Sequence, residues 1–361
     1  MYGAEAVILN LCGVLAGSLE YQSVLGVFDN SASPNLALHE AALKSGFESH
    51  LIRCRRQFDR TVPISIRNLV QQTKADVVHT HGYKPDVYAW LGLRRTSIPL
   101  VSTCHTWYDN DLALRAYGAL DRWVLRSFER VVAVSDQVQD RLLRAGVAPQ
   151  RVQLIRNGID LRPFADAAEN RRLRSRRGDV LRIGLVGRLA PEKGVDIFFR
   201  TAAAVLRQHP AVEFVVVGDG PDRSNLLQLL RTLQIENKAS LAGQCSDMPS
   251  FYASIDILVS ASRQEGLPMA LLEGMASSLP VVATAVGQVS QVINNDSVGR
   301  IVPPEDSAAL ASAISELIGD ASLRERIGNW AKARVAAEFS ADKMAADYLC
   351  IYEQAIQESR S

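Results

Sequence analysis

Two cations flank a glycine-bounded turn, Gly187-Arg-Leu-Ala-Pro-Glu-Lys-Gly194, directly after the apolar run at 182–186. A glycine lets the backbone turn sharply at the carboxyl end of a strand, which is where open α/β sheets bind ligands. The guanidinium of Arg188 suits bidentate recognition of phosphate, and the ammonium of Lys193 is a mobile point charge. A helix opening near Gly194 would add the positive end of its dipole. This is chemistry for gripping a phosphate group. The plainer alternative is a solvated surface loop.

A second group is Glu265-Gly-Leu-Pro-Met-Ala-Leu-Leu-Glu273, which follows a strand expected at 257–260. Pro268 suits the first helical position, so Glu265 should lie just ahead of a helix and Glu273 inside it. Gly274 and Ala276 would let that helix pack closely on a sheet, and the amides of Gly266, Leu267 and Met269 would be free to meet an anion. Glu265 could equally be a favourable charge at a helix N-terminus. Glu273 follows Leu271 and Leu272 on an apolar helix, where an unpaired carboxylate would be costly.

A third group ends two other strands: His79-Thr-His81-Gly82 and Ser102-Thr-Cys-His105-Thr-Trp107. Imidazoles at adjacent strand ends can position a polar substrate. His79, still inside its strand, reads as structural, and His105 could also be a buried, satisfied side chain. A metal site would need more ligands than these spacings offer.

Holding such groups requires alternating strands and helices. Strands are expected at 23–28, 49–52, 76–79, 99–102 and 131–134, then at 182–186, 213–217, 240–242, 257–260, 281–283 and 299–302. Helical periodicity occupies 6–15, 36–44, 117–130, 137–144, 196–208 and 224–233, and again 307–318, 322–338 and 342–357. Strands apolar on both faces that alternate with helices argue for parallel sheets covered on both sides, an α/β architecture of two doubly wound domains. The stretch 161–179 separates the two runs and holds six arginines with little apolar periodicity. It reads as a linker running into a solvated helix, or as a contact for anionic lipid or an acceptor phosphate.

Composition agrees. A length of 361 residues suits two domains. An apolar fraction of 47% with 22% charged excludes a disordered chain. Forty basic against 39 acidic residues leave a net charge of +1, which argues against nucleic-acid binding driven by bulk charge. The five scattered cysteines suit a reducing compartment. The first apolar stretch, 6–17, is broken by Asn10 and Gly13 and is too short to span a bilayer. A cytoplasmic protein is expected.

Taken together these motifs resemble glycosyltransferase family 4, the retaining nucleotide-sugar enzymes of the GT-B fold. Asn157-Gly-Ile-Asp160, the run from Gly243 through Pro249 ahead of Tyr252, Asp296-Ser-Val-Gly-Arg-Ile-Val-Pro303 leading into Asp306, and the ending from Phe339-Ser340 through Tyr352 all fit that pattern. The resemblance implies two Rossmann-like domains facing a central cleft, with a C-terminal helix crossing back to the first domain. Its segments are an acceptor-side domain at 1–160, a linker at 161–179, a donor-binding domain at 180–338 and the crossing helix at 339–361. The family's first strand should precede the turn at Tyr2-Gly3, and the sequence contains no such strand.

The resemblance assigns Arg188 and Lys193, with Gly187, to the donor diphosphate. It assigns Glu265, with the amides of Gly266 and Leu267, to the transferred sugar and Glu273 to the ribose. Gly243 and Gln244 would border the nucleobase, and Gly3 would line the diphosphate. His105 would stand near the anomeric centre, with His81 and Trp107 on the acceptor side. The catalytic set would be His105, Glu265, Arg188 and Lys193. The donor would be UDP- or GDP-linked, with neither cofactor nor metal, and the acceptor a glycan or lipid-linked saccharide. Work in cell-envelope polysaccharide synthesis at the inner membrane face is expected, without nucleic acid. Arg53, Arg55, Arg56 and Arg60 around Phe58 could meet a lipid phosphate or simply form a solvated loop. The rival readings are a catalytically silent or truncated GT-B protein acting as an assembly scaffold, and an NAD-dependent oxidoreductase. The second fails because Arg223 replaces the third glycine after Gly218 and Gly220.

Overall fold

Strands buried on both faces need a helical layer on each side, and the chain builds two such units. The computed structural model describes residues 3–17, 20–30, 36–56, 58–105, 112–176 and 180–360. Unit 1 comprises Met1–Gly158 with Ala341–Ser361, and unit 2 comprises Ile159–Ser340.

In unit 1 the elements run α1 (Gly3–Leu15), β1 (Val24–Asn30), α2 (Ala37–Lys44), β2 (Glu48–Cys54), α3 (Val62–Thr73) and β3 (Val78–His81). They continue as α4 (Tyr83–Leu93), β4 (Leu100–Cys104), α5 (Leu112–Leu125), β5 (Arg130–Ala133), α6 (Asp136–Arg144) and β6 (Val152–Leu154). All pairings are parallel, in a two-stranded sheet β1-β2 and a four-stranded sheet β3-β4-β5-β6. Among the described residues no strand joins β1 to β3.

Unit 2 contains α7 (Ala167–Arg176), β7 (Arg182–Val186), α8 (Val195–Gln208), β8 (Glu213–Val217), α9 (Arg223–Leu233), β9 (Ala239–Gly243) and α10 (Met248–Ser254). It ends with β10 (Ile257–Ser260), α11 (Met269–Ala276), β11 (Val281–Thr284), α12 (Val289–Val292), β12 (Arg300–Val302), α13 (Ser307–Gly319) and α14 (Ala321–Glu338). The sheet order is β12-β11-β10-β7-β8-β9. The chain therefore builds outward from β7 in one direction, returns to β10, and builds outward in the other. β7 and β10 are neighbours at the reversal, the position where doubly wound sheets open a ligand crevice at their carboxyl ends.

Two apolar layers sandwich this sheet. Phe198, Phe199 and Phe214 anchor one, and Tyr252, Leu272 and Met275 anchor the other. Gly274 does what the sequence asks of it: a Cβ there would lie 2.2 Å from Leu258 Cδ2, so a larger residue would displace that side chain where α11 settles on β10. Asp306 caps α13 by accepting from the Ala309 amide at 2.8 Å.

The last helix, α15 (Ala341–Arg360), belongs to unit 1. Its Met344, Ala345, Tyr348, Ile351, Tyr352 and Ala355 form one apolar stripe at helical spacing. The stripe packs with Val7 and Leu11 of α1 and with Val101 and Val132 of the sheet. Arg130 and Glu358 close its far end with an ion pair at 2.6 Å.

Several expectations need correction. The helix expected at 117–130 runs instead over Leu112–Leu125, because Arg130 opens a strand. The arginine-rich stretch carries α7, and Arg171 of α7 donates to the carbonyls of Tyr252, Ser277 and Ser278; residues 177–179 lie outside the described residues. Pro268 is the N-cap of α11 rather than its first helical residue.

Tyr348 is fully buried, and its hydroxyl lies 2.8 Å from Thr103 Oγ1. Tyr348→Ala is expected to cost unit 1 about 3–5 kcal/mol, read by urea denaturation. Tyr348→Phe should cost about 1 kcal/mol, the net value of one hydrogen bond.

Candidate functional site

The loops that follow β7 and β10 meet at the reversal in unit 2. Residue 187 continues the ladder, its amide donating to the Val217 carbonyl at 3.0 Å, and Leu189 donates to the Asp219 carbonyl at the same distance. A 3-10 turn, Pro191–Lys193, then leads through Gly194, in the left-handed region at φ 61°, into α8. A Cβ on Gly194 would fall 1.9 Å from the Ala261 carbonyl oxygen. On the other side, a Cβ on Gly287 would fall 2.0 Å from the Glu265 carbonyl oxygen. Glycine is required at both contacts: the first brings the loop after β7 against the loop after β10, and the second brings the loop after β11 against that same loop.

Lys193 and Glu265 are brought together. Lys193 Nζ donates to Glu265 Oε1 at 2.6 Å, and the Ser262 hydroxyl donates to the same oxygen at 2.7 Å. Only 9% of the Glu265 side chain is exposed, so the ammonium supplies the partner that a carboxylate at this depth requires. Arg188 stands exposed on the same loop. Gly266 and Leu267 follow Glu265 ahead of α11, and the Gln288 amide donates to the Gly266 carbonyl at 3.1 Å. Gly243 ends β9 at φ 81° and accepts from the Gly218 amide at 2.8 Å, with Gln244 exposed beside it.

Glu273 lies in α11 as expected, and its partner is Tyr252 of α10, whose hydroxyl donates to Oε2 at 2.8 Å. Burial pushes the Glu273 carboxyl up from its usual range, against the opposing pull of that hydrogen bond. Burial and the neighbouring carboxylate push the Tyr252 phenol up as well, so it stays a donor.

Sequence reasoning missed Arg263. Its guanidinium donates to both Asp196 oxygens, at 2.7 and 2.9 Å, to the Pro191 carbonyl at 2.7 Å, and to Glu305. Its amide donates to the Glu192 carbonyl at 2.8 Å. One side chain thus clamps the lysine-bearing turn to the glutamate-bearing loop. The signal was an arginine two residues before Glu265.

In unit 1 the histidines assemble at the ends of β3 and β4. His81 Nδ1 and His105 Nε2 are 3.2 Å apart, and the His79 ring lies 4.2 Å from that of His81. His79 is held at both nitrogens, by the Tyr352 hydroxyl at 2.7 Å and by Thr103 Oγ1 at 2.8 Å. Burial pushes His79 down to about 3 and His105 down to about 4, and it holds His81 well below the usual imidazole range. All three are neutral at neutral pH and act as hydrogen-bonding groups rather than cations. Among the described residues no cluster of three His, Cys, Asp or Glu side chains could hold a metal ion. Gly3 is the first residue of α1. Trp107 lies outside the described residues. Arg53, Arg55, Arg56 and Arg60 are exposed around a turn fixed by Asp59, whose carboxylate accepts from the amides of Arg55 and Thr61.

Comparison with known proteins follows the same division. Residues 1–162 match the profile described as Glycosyltransferase Family 4, and residues 181–320 match Glycosyl transferases group 1. The D-inositol 3-phosphate glycosyltransferase of Salinispora arenicola is 31% identical, over 78% of this chain and 69% of that protein. The chain belongs to glycosyltransferase family 4. The Salinispora tropica enzyme of the same name is also 31% identical, over 79% of this chain, and the chain spans 65% of its length. Anabaena HepE, crystallised with UDP, shares the fold with a TM-score of 0.82 at 20% identity, covering 96% of this chain and 95% of that one. The chain thus has the α/β GT-B fold of a glycosyl-transferring family, with parallel sheets in both Rossmann-like units.

The raised carboxyl of Glu273 predicts a pH effect. Its stabilising contribution is fully present below the usual 4.5 and is lost as pH rises through the higher folded value. Glu273→Gln abolishes that loss. The melting temperature of the variant relative to the wild type should therefore increase between acid pH and neutrality, measured by thermal denaturation.

Proposed function

We propose that the chain is a retaining glycosyltransferase, moving a sugar from a UDP- or GDP-linked donor to a hydroxyl of a growing glycan or lipid-linked saccharide. The observation that carries this reading is the Lys193–Glu265 pair at 2.6 Å, where the loops after β7 and β10 meet. A cation suited to phosphate and a carboxylate suited to sugar hydroxyls sit side by side at the sheet's reversal, in a fold shared with a protein crystallised with UDP.

In the proposed reaction the bond between the anomeric carbon and the diphosphate oxygen breaks, and its electron pair leaves with the nucleoside diphosphate. Arg188 and Lys193 neutralise the developing charge, and the helix end beyond Gly194 adds to the field. Glu265, with the amides of Gly266 and Leu267, holds the hydroxyls of the transferred sugar. Glu273 accepts from the ribose, and Tyr252 keeps its carboxylate in place. Gly243 and Gln244 border the base, and Gly3 lines the diphosphate. The acceptor hydroxyl attacks the face that the leaving group vacates and passes its proton to the departing phosphate oxygen, so configuration is retained without a side-chain nucleophile. His105, neutral, offers a polar contact near the anomeric carbon, and His81 orients it. Charge neutralisation rests on side chains and assigns no role to a metal. The setting we assign is cell-envelope or exopolysaccharide synthesis in the cytoplasm, beside the inner face of the membrane. No helix among the described residues is long and apolar enough to cross a bilayer.

At about 100 times its Kd, UDP or GDP should stabilise the protein by about 2.7 kcal/mol in a thermal-shift titration. Failure of both nucleotides to shift melting contradicts the donor site. Arg188→Ala should lower kcat by about 10²–10³-fold with an unchanged melting temperature, and near-normal turnover contradicts its assignment.

A further inference from the structure

Two carboxyl groups in the core of unit 1 take no part in the chemistry above. Asp86 of α4 is 0% exposed and Asp121 of α5 is 1% exposed. A carboxylate at that depth needs a cation or a metal ion beside it. Among the described residues Asp86 forms no ion pair, and no group of metal-ligating side chains is present. What it faces is a second acid, the carboxyl of Asp121, together with the hydroxyls of Thr80 and Ser102.

The polar atoms of this cluster are one proton short. Thr80 Oγ1 bonds to Asp86 Oδ1 and also lies 3.2 Å from the Val101 carbonyl oxygen, with a single proton to give. Asp86 Oδ2 is buried without an N–H or O–H partner. Two ionised carboxylates in contact repel each other, and burial penalises both charges. A proton between them removes the repulsion and supplies a donor to buried oxygens that lack one. In agreement with that geometry, burial first and then the Asp121 charge push the Asp86 carboxyl well up from its usual range.

The cluster also has a definite place in the fold. Side chains alternate across a strand, so His79 and His81 lie on one face of β3 and Thr80 on the other. In β4 Thr103 bonds to His79, while Ser102 and Cys104 face the acids. The acid pair therefore lies behind the strand ends that lead to His81 and His105. Burial and both acids push the Cys104 thiol well up, so it is neutral there. The other ionisable side chains of the helices packed here turn elsewhere. Tyr88 of α4 accepts from the Asp59 amide, Arg67 of α3 donates to the Gly92 carbonyl, and Arg122 of α5 lies beside Gly118.

We propose that Asp86 and Asp121 share one proton in the folded protein, and that this acid pair positions the strand ends bearing His81 and His105. The shared proton ties α4 to α5, and the Thr80 bond passes the constraint to β3. The two acids titrate as a unit. Their stabilising contribution is fully present below the ordinary 3.8 and is lost as pH rises through the raised folded value. The consequence for transfer rests on the acceptor-side reading of His81 above, but the tests need no sugar transfer.

Infrared spectroscopy of the full chain reads the proton directly. The protonated-carboxyl band at neutral pH should weaken in Asp86→Asn and equally in Asp121→Asn, because an amide on either side can donate to the remaining carboxylate. Asp140→Asn, at an exposed acid, should leave the band unchanged. A band unaltered in both core variants, or lost in only one, overturns the sharing. Thermal denaturation gives a second reading: the melting temperature of Asp86→Asn relative to the wild type should increase from acid to alkaline pH. Parallel curves contradict the shared proton, and a melting temperature that follows added cations instead of pH puts a metal ion in its place. Positioning is read from imidazole NMR signals. Those of His81 and His105 should shift in the wild type as the pair ionises and stay still in Asp86→Asn; signals that ignore the pair overturn its positioning role. If Asp86→Asn does not fold, Asp121→Asn carries the same readings. A UDP-induced melting shift without an infrared difference removes the acid pair alone. An infrared difference without any nucleotide shift upholds the pair and contradicts the glycosyltransferase reading.

Discussion

A carboxylate with 9% of its side chain exposed must have a partner, and Glu265 has Lys193. That constraint organises unit 2. The pair forms only if two loops separated by most of the sheet's sequence arrive at one place, which the strand order guarantees by setting β7 beside β10. Glycine at 194 removes the Cβ atom that would hold these two loops apart, and glycine at 287 lets the loop after β11 pack on the glutamate loop. Arg263 then bolts the lysine turn to the glutamate loop through Asp196 and the Pro191 carbonyl. The result is a cation and a carboxylate whose positions are fixed by the backbone contacts around them.

Unit 1 solves a different problem. Its histidines lie where burial favours the neutral imidazole, so they bring hydrogen-bonding capacity without charge. The C-terminal helix completes them: Tyr352 bonds to His79, and Tyr348 bonds to the Thr103 hydroxyl that takes the other His79 nitrogen. Sequence that follows the whole of unit 2 is thus built into the core of unit 1. Charged Lys193 and Glu265 at the unit 2 loops thus contrast with the neutral histidines at the ends of β3 and β4.

Much of this was legible in the sequence where burial dictates residue type. The strands Arg182–Val186, Glu213–Val217 and Ile257–Ser260 were bounded correctly, because central parallel strands are apolar on both faces and end at glycine or polar turns. Helix α4 was not, since it opens with Lys84 and Pro85 and buries Asp86, which obscures any apolar stripe. Strand β6, three residues long at the sheet edge, carries too little pattern to stand out. At the site, residue types were readable but pairings were not. Lys193 and Glu265 were each read as meeting a ligand, and their meeting with each other depends on the sheet's reversal, which no local window contains. The same holds for Tyr252 and Glu273, which sit on different helices.

In the proposed reaction the central pair divides two roles, Lys193 on the diphosphate and Glu265 on the sugar. Calorimetric titration of Lys193→Ala and Glu265→Gln with a nucleoside diphosphate and with its sugar conjugate separates them. The lysine variant is expected to lose affinity for both ligands, whereas the glutamine variant should bind the bare nucleotide normally and lose only the increment due to the sugar. Undiminished nucleotide affinity in the lysine variant, or an unchanged sugar increment in the glutamine variant, would contradict that division.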